Sequence, residues 1–85
     1  MTERQHAEIS AVMTSDAFDA SDKWVVKWQF KLLGDFQEAL AACIARADDG
    51  NLDRLKLGFP VEVQGFLRWN RGDLAARLSA AGLDV

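Results

Sequence analysis

The stretch "DKWVVKWQFKLLG", residues 22–34, supports two incompatible periodicities, and the choice between them decides the fold. Read in steps of two, Trp24, Val26, Trp28, Phe30 and Leu32 line one face of a strand. Read in steps of three and four, Trp24 and Trp28 lie one helical turn apart, and Lys23, Lys27 and Lys31 form a stripe beside them. A strand must pair its backbone N–H and C=O groups with another strand. The one other β-like run, "LGFPVEV" at residues 57–63, contains Pro60, which cannot donate to a ladder. The helix is therefore favoured for residues 23–33. A strand pairing with a second copy of the chain is the rival.

Outward from this segment the signals are helical. Thr2-Glu3-Arg4-Gln5 has the form of a capping box, followed by Ile9, Val12 and Met13 at helical spacing. The pattern fades in "TSDAFDASD", residues 14–22, where Asp and Ser favour turns; this reads as an acidic loop pinned by Phe18. Asp35-Phe36-Gln37-Glu38 suggests a second capping box. Phe36, Leu40, Cys43, Ile44 and Ala47 then form one amphipathic stripe. Gly50 suits a left-handed helix end and Asn51 the cap of a short helix, with Leu52 and Leu55 inward. Pro60 suits a first turn, with Val63, Phe66 and Leu67 buried after it. Gly72 breaks the chain, Asp73 caps again, and Leu74, Leu78 and Ala81 line a last helix ended by Gly82, with Leu83 folding back on Leu78. The expectation is a mostly all-α, single domain spanning residues 1–85. Residues 1–22 form an N-terminal helix and acidic loop and residues 23–85 a helical core, the whole a compact bundle of four to five short helices.

With 85 residues and one cysteine, the chain has no internal disulfide to staple it, so it depends on close packing or self-association. The net charge of -3 is unevenly placed: residues 1–22 and 34–53 are acidic, residues 23–33 and 54–85 basic. No apolar run is long enough to span a bilayer. The polar opening Met1–His6 lacks the form of a secretory leader, and with Cys43 free the expected setting is the cytoplasm of a bacterial host.

The acidic corner "ADDGNLDRLKLGFP", residues 47–60, fails as a calcium loop. Started at Asp49, it puts Arg54 where glycine belongs and Pro60 where the glutamate belongs. His6 and Cys43 are too few for a zinc site, and Cys43 reads as a small core residue. "RGD" at residues 71–73 reads as a helix break and a cap. No phosphate-binding glycine loop is present and no nucleophile has an orienting partner, so no catalytic residue, metal or cofactor is assigned and the chain reads as a non-enzyme. Lys23, Lys27 and Lys31 beside tryptophans, with the arginines of the C-terminal third, could grip a nucleic acid. The excess of acidic groups disfavours it. Three Trp and five Phe in so short a chain point instead to protein contacts, with Trp69 a candidate anchor.

One resemblance bears on origin. The segment "FQEALAACIARADDGNLDRLKLGFPVEVQGF" resembles small proteins of bacterial prophages and mobile elements. They share F-x-x-A-L, I-x-x-A-D, N-L-x-x-L and G-F-P-x-E-V. In this chain those positions are Phe36, Ala39, Leu40, Ile44, Ala47, Asp48, Asn51, Leu52, Leu55, Gly58, Phe59, Pro60, Glu62 and Val63. The resemblance covers about half the chain, leaves out residues 1–22 and brings no catalytic residue with it. Small acidic phage proteins often occlude host machinery, and inhibitors of CRISPR–Cas complexes are one such class. By that analogy the chain is expected to bind a host protein or nucleoprotein complex with a basic surface. The contacts would come from Asp16, Asp19 and Asp22 in the N-terminal loop, Asp48, Asp49 and Asp53 at the corner, and Trp69. Homodimerisation is left open.

Overall fold

The computed structural model describes residues 2–85, which form six α-helices and no strand. These are α1 (Glu3–Thr14), α2 (Ala20–Gln29), α3 (Asp35–Arg46), α4 (Asp49–Gly58), α5 (Pro60–Arg71) and α6 (Asp73–Ala80). The all-α expectation holds, with six helices rather than four or five. No helix is long and apolar enough to cross a membrane.

The deciding segment is helical, and it begins earlier than expected. Asp19 caps α2: its carboxylate accepts the Asp22 N–H at 3.0 Å, while the Asp22 carboxylate accepts the Asp19 N–H at 3.3 Å. The acidic residues thus start a helix instead of prolonging a loop, which shrinks to residues 15–19. Trp24 and Trp28 do stack one turn apart, with ring centroids 5.6 Å from each other. Phe30 and Leu32, which the strand pattern needed, lie past the helix end. There Lys31 takes a left-handed φ of 57°. Leu32 N–H reaches Lys27 O at 2.8 Å and Lys31 N–H reaches Trp28 O at 3.2 Å. This paired arrangement closes helices that usually carry glycine at the left-handed position. Lys31 is therefore not on one helical stripe with Lys23 and Lys27.

Other boundaries follow local chemistry. Thr2 and Gln5 form the expected reciprocal cap. Pro60 opens α5. Gly82 N–H bonds Ser79 O at 3.0 Å and Leu83 N–H bonds Leu78 O at 2.9 Å, which folds buried Leu83 onto buried Leu78. Three expected caps are corrected. Gly34, not Asp35, precedes α3; Asp48, not Asn51, caps α4 by accepting the Asn51 N–H at 2.8 Å; and Gly72, not Asp73, precedes α6. Gly50 lies within the first turn of α4, while α3 stops at an extended Ala47.

Helix α5 is the hub and packs against α2, α3, α4 and α6, most extensively against α2. Val63 of α5 meets a core of Ile9, Val12, Phe18, Val25, Val26, Leu40, Ile44, Leu74 and Leu78. At the crossing with α2, Gly65 is buried. A Cβ placed there would stand 2.7 Å from the Ser21 carbonyl oxygen and 3.0 Å from the Val25 side chain. Only a residue without a side chain allows that approach.

On α3 the buried face is Leu40, Ala41 and Ile44. Phe36 is 66% exposed and Cys43 is exposed, so the expected stripe is rotated and Cys43 is not a core residue. Leu40, Ala41 and Ile44 turn inward where α3 packs on α5, and Gln37 Oε1 accepts the indole N–H of Trp24 at 2.9 Å. Helix α4 contributes no fully buried residue; Leu52 and Leu55 are half-buried.

Two substitutions test these features by urea denaturation. Gly65→Ala gains helix propensity yet overpacks against backbone, with an expected net loss of about 2 kcal/mol. Lys31→Gly relieves the left-handed backbone, with an expected gain of about 1 kcal/mol.

Candidate protein-binding surface

The structure divides the expected contact residues into two groups. Asp22, expected in a loop, lies in the first turn of α2 and is 1% exposed. Arg68 of α5 places one guanidinium nitrogen 3.0 Å from Asp22 Oδ1 and 2.7 Å from both carboxylate oxygens of Asp19. Arg77 of α6 reaches Asp22 Oδ2 at 3.3 Å and the Ala17 carbonyl at 2.8 Å, with its guanidinium 5.1 Å from the centre of the Phe18 ring. This cluster ties the loop before α2 to α5 and α6. It occupies Asp19 and Asp22 internally, and it occupies Arg68 and Arg77 as well. Asp16 stays exposed.

At the second corner Asp48 is engaged by its capping bond. Asp49 and Asp53 are exposed on α4, with Asp53 4.0 Å from Lys56. Trp69 is half-buried and packs against the core. Trp24 is buried, and half-buried Trp28 sits between it and Phe66, its ring 6.1 Å from the Phe66 ring. The indoles beside Lys23 and Lys27 are thus used in packing. His6 and Cys43 line separate grooves, and no cluster of three or more metal-ligating side chains occurs among the described residues.

The feature that sequence reasoning missed lies between α3 and α4. A groove of about 460 Å³ is walled on one side by Cys43, Arg46 and Ala47 and on the other by Asn51, Arg54, Leu55 and Gly58. Both sets follow helical spacing, each presenting one face of its helix. Phe59 lines one end, its ring 6.2 Å from that of exposed Phe36. The lining contains no carboxylate. Among the described residues no carboxylate lies within 4.0 Å of Arg46 or Arg54, since every ion pair involves another base. The sign is therefore locally positive on a chain of net charge -3. The spacings 43/46/47 and 51/54/55/58 were available in the sequence. The assignment of Phe36 and Cys43 to the core hid them.

Comparison with known proteins finds no matching family model, no similar curated protein and no similar solved structure.

The charge cluster predicts a pH dependence. The hydrogen bond from Arg68, then that from the Asp22 N–H, holds the Asp19 carboxyl below its ordinary 3.8, and Arg68 is correspondingly raised. A depressed folded-state value stabilises the fold above 3.8, and this contribution disappears as pH falls through the lowered value. The Asp19 side chain is 55% exposed, so solvent screens the effect. Asp19→Asn should flatten the acid limb of a stability–pH curve measured between about pH 5 and pH 2, and leave its slope above pH 5 unchanged.

Proposed function

We propose that this chain is a non-enzymatic protein-binding module that inhibits or adapts a larger complex, with the α3–α4 groove and its Phe36–Phe59 end as the contact face. The exposure of Phe36 carries the reading. A phenylalanine 66% exposed, its ring tilted against a second ring at the end of the groove, has surface to bury only against another molecule. Burying such a ring stabilises a complex by about 1.5–3 kcal/mol, enough to make it an anchor.

The resemblance to prophage and mobile-element proteins supports a partner in the bacterial host. A narrower version has carboxylates occlude a basic, nucleic-acid-binding surface, as in CRISPR–Cas inhibitors. Its support is the exposure of Asp16, Asp49 and Asp53; Asp19 and Asp22, held by Arg68 and Arg77, give it none.

Affinity capture from bacterial lysate separates the two faces. The wild-type chain is expected to retain a protein that Phe36→Ser loses and Asp49→Asn/Asp53→Asn keeps. Phe36→Ser should shift the melting temperature by less than about 4 °C, because the ring is exposed. The reverse pattern, with loss only on removing carboxylates, would transfer the contact to the acidic side of α4.

A further inference from the structure

The groove also indicates what kind of partner fits it. We infer that the α3–α4 groove receives an acidic amphipathic helix, its apolar side chains on the floor and its carboxylates against Arg46 and Arg54. This rests on the protein-binding reading above and names the partner's chemistry.

Shape comes first. The described residues contain no strand, so no sheet edge is offered for an extended peptide to extend. The walls are two helices, and the α4 wall runs from Asn51 to Gly58, about 10 Å at the helical rise. That length matches apolar anchors at i, i+3 or i+4, and i+7 on an incoming helix. The groove of about 460 Å³ can take two or three such side chains against the apolar part of its lining, Ala47, Leu55 and Phe59.

Charge comes second. Arg46 stands in the last turn of α3 and Arg54 in the middle of α4, one on each wall. Neither has a carboxylate partner among the described residues; Lys23, Lys27, Lys31 and Arg71 have none either, and Arg46 and Arg54 are the two of the six that line this groove. Asp49, Asp53 and Leu57 recur every four residues on α4, on a stripe turned away from the groove. The groove thus presents two guanidinium groups to whatever enters it, and guanidinium pairs with carboxylate in a two-bond fork. A basic or neutral helix would leave both arginines to be desolvated without compensation.

The test uses the whole chain and three fluorescent helical peptides of about fourteen residues. They carry the same leucine stripe and flank it with Glu, Gln or Lys. Fluorescence anisotropy at physiological salt is expected to show the Glu peptide binding at least about tenfold more tightly than the Lys peptide. Arg46→Glu/Arg54→Glu should invert that order, and Arg46→Gln/Arg54→Gln, which keeps the fold under less strain, should abolish it. Phe36→Ser should weaken all three peptides. Equal binding of the three, lost in Phe36→Ser, overturns the acidic-partner inference while the protein-binding reading stands. A preference for Glu that survives both arginine variants overturns it too, by placing the peptide elsewhere. Binding by none of the three, or a dimer in light scattering that Phe36→Ser dissolves, likewise overturns it, the latter by making a second copy the occupant.

Discussion

Helix α5 lies against α2 at a distance that residue 65 permits only because it has no side chain, and most of the domain is arranged around that approach. Arg68 follows one turn after Gly65 on α5, and Asp22 follows Ser21 on α2. This close helix crossing therefore sits beside Asp22, the one buried carboxylate among the described residues. The proximity has a cost and a use. A carboxylate 1% exposed must be matched by opposite charge and hydrogen bonds. The close crossing brings Arg68 to it, while Arg77 arrives from α6 and ties the third element to the same point. Every buried side-chain polar atom among the described residues finds a partner in this way. Apolar packing at Val25, Val26 and Val63 supplies the driving force. The ion cluster selects the register at which those side chains meet, since a slip of one residue on α5 would strand Asp22.

How much of this was legible in the sequence depended on range. Features set within one or two turns were readable: the Thr2–Gln5 box, Pro60 at a first turn, and Gly82 with Leu83 folded on Leu78. The Asp19–Asp22 box was equally local but was passed over, because an Asp- and Ser-rich stretch was read for turns rather than for a cap. Features set by contacts across the fold were not readable. On α3 the run of Ala, Leu, Cys and Ile offers apolar residues on nearly every face, so periodicity does not fix which face turns inward. The choice falls to contacts across the fold: α3 buries Leu40, Ala41 and Ile44 where it packs on α5, and Gln37 accepts the Trp24 indole N–H from thirteen residues away. That arrangement leaves Phe36 and Cys43 outward. In the same way nothing near Asp22 signals that its partners come from residues 68 and 77.

The same long-range pairings change the sign of the surface available for recognition. Taken as a string, the chain offers carboxylates at both acidic segments and arginines in its last third. Folding pairs Asp19 and Asp22 with Arg68 and Arg77, so these charges are matched within the molecule. Six of the ten bases have no carboxylate within 4.0 Å among the described residues: Lys23, Lys27, Lys31, Arg46, Arg54 and Arg71. Lys23 and Lys27 line one groove, and Arg46 and Arg54, which belong to neither the lysine stripe nor the acidic loop, line another. Net charge therefore describes the field far from the protein, and the internal pairing decides what a partner meets at contact.

Helix α4 is the element in which stability and recognition trade against each other. It is ten residues long, too short to persist alone in water. It buries no side chain completely and rests on α5 through half-buried Leu52, Leu55 and the adjoining Phe59. Its cap at Asp48 holds its start, yet its opening costs less than that of α2 or α5, whose valines are wholly enclosed. The apolar surface that α4 leaves uncovered, with Leu57 outermost, is what a better-buried helix would have spent on the core.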